Sequence, residues 1–298
     1  MLFFLHARLF DLPELAERKQ NRIFALFGLS HTHRSLTRRI LTSNHFKHLA
    51  RHRGSAVHRR RVGFVDLHSH VLYGLDDGAP DVAVSLAMLD ALAALGISEQ
   101  CVTPHQKASQ YLPAWDRVEQ ALVSLETVRR PHHPTLRLGA ENMWDDVFYG
   151  RIIDGTIPHY RGTTAFLVEI PPPLMPPGMV DQLFKFRMAG KVPVLAHPER
   201  YHALWDDDRL ARELRRHCAF AIDLGAIGGF HGKREMKAAR HLLELGLATA
   251  VATDAHQLGD LQQAQQGLAW IDKKLGHATT VRLFDHAPRA LLAGELPD

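Results

Sequence analysis

The 298 residues are 46% hydrophobic and 23% charged, which suits a globular protein and excludes a disordered or fibrous one. No run of 18 apolar residues occurs, so no segment reads as a membrane-spanning helix. Two cysteines, Cys101 and Cys218, are too few for a disulfide framework and favour a cytoplasmic setting, while the net charge of +4 combines 13 Lys/Arg against 3 Asp/Glu in residues 1–62 with 23 against 29 beyond them.

The first 62 residues therefore read as a basic extension distinct from the body. MLFFLHARLF is apolar before it is basic, the reverse of a secretory signal, and no small-residue cleavage site follows. Leu2, Phe3, Leu5, Leu9, Phe10 and Leu12 fit one helix face, and Ile23, Phe24, Leu26 and Phe27 a second. Three readings stand side by side: a helical arm packed on the body or a partner, an amphipathic element at an anionic membrane surface, and a disordered leader translated from a misassigned start codon. No nucleic-acid partner is expected, because charge alone, without a recognised motif, does not make one.

From residue 63 short β-type runs alternate with helical ones. Strands are expected at 63–68 (GFVDLH), 98–103 (SEQCVT), 135–140 (TLRLGA), 165–170 (AFLVEI), 192–197 (VPVLAH), 220–225 (FAIDLG) and 248–253 (ATAVAT). Helices are expected at 81–96, 179–190 and 234–246, each closing on a glycine suited to a C-cap: Gly96, Gly190 and Gly246. Seven strands alternating with helices point to a parallel α/β fold, and the count suits a barrel better than an open sheet. Residues 63–298 are expected to form that one domain.

In a parallel barrel the functional side chains gather at the C-terminal strand ends. The first strand ends in Asp66, His68 and His70, spaced two apart and so on one side of an extended segment. Asp76 and Asp77 follow before Gly78, where they could equally just turn the chain. The second strand ends in Thr103-Pro104-His105 and the third in Gly139-Ala140-Glu141. The fourth carries Glu169, the fifth reads AHPER with His197 and Arg200, and the seventh reads ATDAH with Asp254 and His256. Only the sixth, ending Asp223-Leu224-Gly225, carries no chemical signal.

So many acids and imidazoles in one mouth would be costly to bury without cations between them. His68, His70, Asp77, His105, Glu141, Glu169, His197, Asp254 and His256 make nine donors, too many for one ion. They suit two or three ions sharing a bridging carboxylate and water, and mixed nitrogen and oxygen ligands without thiolate suit Mn²⁺, Fe²⁺ or Zn²⁺. An HxH pair alone is a weak signal; the same residue types at one strand end after another are a strong one. Outside this set, His132, His133, His217, His241, His277 and His286 are expected at the surface, and Asp206-Asp207-Asp208 at a helix start.

DLHSH, DDG, TPH, GAE, LVE, AHPER and TDAH, in that order and spacing, resemble the polymerase-and-histidinol-phosphatase (PHP) superfamily. Within it they are similar to the bacterial metal-dependent tyrosine-protein phosphatases encoded with capsule and exopolysaccharide genes, over about residues 63–298. The resemblance implies a distorted (β/α)7 barrel and a trinuclear centre, usually of manganese. One ion would be held by His68, His70, Glu141 and Asp254, a second by Glu141, Glu169 and His197, and a third by Asp77, His105 and His256. It further implies phosphotyrosine on a bacterial tyrosine kinase tail as substrate, and matches Arg200 to the phosphate-contacting arginine. Catalysis is thus expected to hang on Arg200, Glu141 and His197. One departure stands out: members of that group often carry a second phosphate-binding arginine soon after the last DxH, whereas HQLGDLQQAQQG holds none.

The expected chemistry is hydrolysis of a phosphate monoester by a metal-bridging hydroxide, with no covalent enzyme intermediate. A cysteine phosphatase needs arginine six residues after the nucleophile, yet Lys107 follows Cys101 and Leu224 follows Cys218 at that distance. Two rivals remain from the sequence: another PHP phosphoesterase, acting on histidinol phosphate, a nucleotide or a DNA end, and a non-catalytic phosphate-binding module.

Overall fold

The computed structural model describes residues 63–298, and the three readings of residues 1–62 lie outside the described residues. Nine strand segments follow in chain order: β1 (Phe64–Asp66), β2 (Ile97–Val102), β3 (His105–Gln106), β4 (Thr135–Leu138), β5 (Glu141–Met143), β6 (Ala165–Glu169), β7 (Val192–Ala196), β8 (Ala219–Asp223) and β9 (Ala250–Ala252). Between them lie α1 (Val82–Ala94), α2 (Trp115–Val128), α3 (Asp146–Asp154), α4 (Met179–Met188), α5 (Asp208–Arg215), α6 (Leu224–Gly228) and α7 (Lys233–Glu244). After β9 come α8 (Leu258–Leu275) and a helical run over 277–292.

All strand pairings are parallel, in the orders β1-β2-β4 and β3-β5-β6-β7-β8-β9. The nine segments are seven runs, because β2–β3 and β4–β5 are each one run broken in the middle. Pro104, which has no N–H for the ladder, breaks the first. Gly139 marks the second break: a Cβ there would come within 2.8 Å of the Tyr160 ring. The ring of strands closes where β9 meets β1. The Asp254 amide donates to the His68 carbonyl (3.0 Å) and the His70 amide to the Ala255 carbonyl (2.9 Å). Asp66, expected to share a face with the histidines, instead accepts from the Thr253 hydroxyl (2.6 Å) and amide (3.1 Å) and ties the seam. Burial raises the Asp66 carboxyl to about 6, against the lowering by these Thr253 bonds.

Small residues let seven strands pack around a filled centre. Ala165, Ala196, Ala219, Ala221 and Ala250 alternate with Val65, Leu67, Leu167, Val192 and Val194, and Leu291 of the terminal helical run joins them. The Tyr160 ring lies in the same cluster, with its hydroxyl donating to the Leu67 carbonyl (3.0 Å). The expected C-terminal glycines are in place, with Gly96, Gly190 and Gly246 all at positive φ just past α1, α4 and α7. Asp207 caps α5 through Oδ1, as the aspartate run predicted. One close approach bears on the site: Gly267 of α8 presses on α6 so tightly that a Cβ would sit 2.0 Å from the Leu224 carbonyl oxygen.

Candidate metal centre

Glu141 is the hub. It leads β5, fully buried, and its carboxylate meets four imidazoles. Oε1 lies 3.4 Å from His68 Nε2 and 2.9 Å from His197 Nε2; Oε2 lies 3.5 Å from His70 Nε2 and 2.7 Å from His105 Nδ1. Asp254 Oδ1 completes one corner, 3.2 Å from His68 Nε2 and 3.5 Å from His70 Nε2. Glu169 Oε1 is 3.9 Å from His197 Nε2. On the outer side Asp77 Oδ1 lies 3.4 Å from His105 Nε2 and 3.6 Å from His256 Nε2, and His256 stacks on His70 at 3.9 Å. All nine sequence-predicted donors therefore converge, from the ends of six of the seven strand runs and the loop after β1. They form overlapping groups: His68, His70 and Asp254; His68, Glu141 and His197; His105, Glu141 and Glu169; and His70, Asp77, His105 and His256.

His68 Nε2 and His70 Nε2 lie 3.2 Å apart, close enough for one to donate to the other. Other donor atoms of the cluster have no such bond. Glu141 Oε2, Glu169 Oε2, Asp254 Oδ1, His105 Nδ1 and His197 Nδ1 are buried without a hydrogen-bond partner, though orphaned buried polar atoms are rare and costly. Donor atoms about 3 Å apart, aimed at common points, are spaced as ligands about 2.1 Å from a shared ion would be. The donor set is nitrogen and oxygen only, and it fits divalent cations.

The electrostatics say the same. Burial lowers the His70 and His105 imidazoles, yet the carboxylates win. The Asp254 and Asp76 carboxylates bring His70 up to about 10, and Glu141 with Asp77 brings His105 to about 11. Burial raises Glu141, but His68 and His105 hold it well below the carboxylate range. Glu169 goes to about 7 through burial and the charge of Glu141, and His197 falls to about 4 through burial and the nearby Arg200. The carboxylates draw positive charge onto His68, His70 and His105, a role divalent cations would take over when bound.

Local backbone geometry serves this convergence. Only three non-glycine residues among those described have positive φ: Ser109, His197 (34°) and Asp254 (46°). Two of the three carry donors, and strain of this kind collects at functional sites.

Arg200, on the turn after β7, is anchored through Nη2 to Asp223 Oδ2 (2.9 Å) and Asp254 Oδ2 (2.6 Å). It lines a cleft of about 430 Å³ with Asp77, Pro80, Asp254, His256 and Phe230, a size suited to a small ligand. No other arginine lines this cleft among the described residues, in keeping with the arginine-free stretch after His256.

Three expectations need correction. Asp223, at the strand end judged featureless, holds Arg200 and also meets His231 Nε2 at 2.5 Å. Burial pushes its carboxyl up, but the His231 hydrogen bond and the Arg200 charge keep it below the ordinary range. Asp76 does more than turn the chain: Oδ2 meets His70 Nδ1 at 2.8 Å and accepts from the His105 amide at 3.0 Å. The signal in the sequence is the doubled acid of DDG, whose first member holds the imidazole and whose second faces His105 and His256. His133 is buried, not at the surface, with Nε2 2.8 Å from Asp90 Oδ1. Asp90, His132 and His133 form a further group of donors. There, however, His133 Nδ1 accepts from the Arg130 amide (3.2 Å), so its proton sits on Nε2, and Arg130 pairs with Asp90 (2.8 Å). Neither feature suits a cation.

Residues 64–293 match the family model described as capsular polysaccharide synthesis, CpsB/CapC. The tyrosine-protein phosphatase YwqE of Bacillus subtilis is 27% identical over 229 residues, covering 75% of this chain and 89% of that protein. The tyrosine-protein phosphatase CpsB of Streptococcus pneumoniae is 25% identical over 248 residues, covering 78% and 99%. A crystal structure from work on these two metal-dependent tyrosine phosphatases superimposes with a TM-score of 0.70 at 26% identity, covering 78% of this chain and 95% of the other.

Proposed function

The chain belongs to the CpsB/CapC family of capsular polysaccharide synthesis, and on that premise we propose that it is a metal-dependent protein-tyrosine phosphatase. Its substrate is phosphotyrosine on a protein, in the first place a bacterial tyrosine kinase that regulates capsule or exopolysaccharide synthesis. The observation that carries this reading is the convergence of nine nitrogen and oxygen donors on Glu141, beside a cleft that Arg200 lines.

His68, His70, Glu141 and Asp254 would hold one ion, Glu141, Glu169 and His197 a second, and Asp77, His105 and His256 a third, with manganese the ion expected. Divalent ions so held lower the pKa of water toward neutrality and neutralise phosphoryl oxygens. Asp223 and Asp254 fix the Arg200 guanidinium before substrate arrives, so no reorganisation is needed at the moment of reaction. Both carboxylates accept from Nη2, which leaves Nη1 of the same guanidinium to donate to a phosphoryl oxygen. The bond from phosphorus to the tyrosyl oxygen breaks as a water oxygen takes its place. A phenolate, with a pKa of about 10, then departs with less need of a proton than an alkoxide. Neither cysteine takes part: burial pushes both thiols up, Cys218 to about 12.

The test is a substrate panel with added Mn²⁺: a phosphotyrosine peptide, histidinol phosphate and a 3′-phosphorylated oligonucleotide. The peptide is expected to be hydrolysed, with activity lost to a chelator and to His197→Ala. Turnover confined to either of the other two overturns the tyrosine assignment. Binding of the peptide without any turnover makes the protein a phosphate-binding module.

A further inference from the structure

We propose that the loop 229–232 is the aryl-recognition element of the cleft: Phe230 is the wall against which the tyrosyl ring lies, and His231 fixes the guanidinium that meets its phosphate. This deepens the phosphatase reading and rests on it.

The loop leaves α6 through two glycines at positive φ, Gly229 (97°) and Gly232 (119°), conformations that side chains rarely adopt. Between them the chain folds back, with the Phe230 amide donating to the Gly225 carbonyl (3.0 Å). The loop's exit is pinned to the turn that carries Arg200. Arg234 stacks over the Trp205 ring at 5.1 Å, and Trp205 Nε1 donates to the Glu199 carbonyl at 2.7 Å. The tip is thus held in register with the guanidinium it faces.

Phe230 is 46% exposed and lines the cleft shared by Arg200, Asp254 and His256. It is the only Phe, Tyr or Trp among the described lining residues, most of which are charged or polar. A phosphate group and its cations account for the charged residues; they give no reason for an open benzyl side chain. A substrate whose phosphate is carried on an aromatic ring supplies one, since ring pairs gain from offset or edge-on contact. Pro80 and Val84, from the loop after β1 and from α1, add apolar surface to the same cleft.

His231 stands edge-on to Phe230, 4.9 Å between ring centres at 68°. Its Nε2 lies 2.5 Å from Asp223 Oδ2 and 3.0 Å from Arg200 Nη2. With the proton on Nε2 it donates to Asp223, so Asp223 is gripped by Arg200 from one side and His231 from the other. His231 is therefore a positioning residue for Arg200, and Phe230 a selectivity residue.

Titration calorimetry on the full chain loaded with Mn²⁺, using phenylphosphonate and methylphosphonate as probes, separates the two roles without needing turnover. The native protein is expected to bind phenylphosphonate about tenfold more tightly than methylphosphonate. Phe230→Ala should cut that preference below about threefold, and Phe230→Trp should retain it. His231→Ala should weaken both ligands by a similar factor, about fivefold or more, with the preference kept. A native protein without preference, or a preference untouched by Phe230→Ala, overturns the assignment of the ring wall; binding unaltered by His231→Ala overturns the positioning role. The failures are distinguishable. A protein that shows this binding pattern but releases no phosphate from a phosphotyrosine peptide sinks the phosphatase reading, whereas an active phosphatase whose preference ignores Phe230 sinks only the subsite.

Discussion

Gly267→Ala sets two known effects against each other. In a helix interior the change normally stabilises by about 1 kcal/mol, through the poor helix propensity of glycine. Here the new Cβ would lie 2.0 Å from the Leu224 carbonyl oxygen and 2.9 Å from its carbon, where ordinary contact begins near 3.4 Å. The obstacle is backbone, so no rotamer change relieves it, and α6 must move by more than an ångström. Overpacking against rigid structure costs about 3 kcal/mol, which outweighs the propensity gain and leaves a net loss of about 2 kcal/mol. For a body of this size that lowers the melting temperature by about 4–8 °C. Activity should fall as well, because Asp223 caps α6 and shares its displacement. The control is Gly150→Ala in α3, where no atom lies within 4 Å of the new Cβ, and a rise of about 2–4 °C is expected. Paired thermal melts decide the matter: if Gly267→Ala raises the melting temperature as Gly150→Ala does, the close α6–α8 contact is not as described.

Asp76→Asn should weaken Mn²⁺ binding by about 10- to 100-fold, because Asp76 holds both His70 Nδ1 and the His105 amide; affinity within twofold of native in a metal titration would remove that role. Arg200→Lys keeps the charge but loses the planar guanidinium that Asp223 and Asp254 hold through Nη2, and kcat/KM for a phosphotyrosine peptide should drop by about 100-fold. A drop of less than threefold would leave Arg200 without its assigned part. Because burial pushes the Cys218 thiol up to about 12 and holds Cys101 well above its ordinary value, neither is a thiolate at pH 8. Iodoacetamide should leave the native protein unlabelled and active, and rapid labelling with loss of turnover would bring back a thiol mechanism.

The sequence made the strands and the donors legible for one reason. Parallel strands end where chemistry is placed, so a run such as VPVLAH announces both the element and the side chain at its end. What it hid depended on partners far along the chain. Asp66 looks like a third ligand because it alternates with His68 and His70, and only the seam with Thr253 shows that it fastens β9 to β1. Asp223 looked inert because its purpose is to hold Arg200 from the neighbouring strand end and His231 from beyond α6. His133 looked like a surface residue because Asp90, its partner, lies 43 positions earlier. Local alternation carries no record of such pairings.

The central claim is that acids and imidazoles from strand ends spread over residues 68–256 together cage divalent cations. A crystal structure of protein loaded with Mn²⁺, with anomalous differences collected at the manganese edge, tests it most directly. The account predicts peaks within bonding distance of Glu141, flanked by His68, His70, His197 and Asp254, and at least one more near Asp77, His105 and His256. A cage without anomalous density, or manganese bound instead at Asp90, His132 and His133, would contradict it.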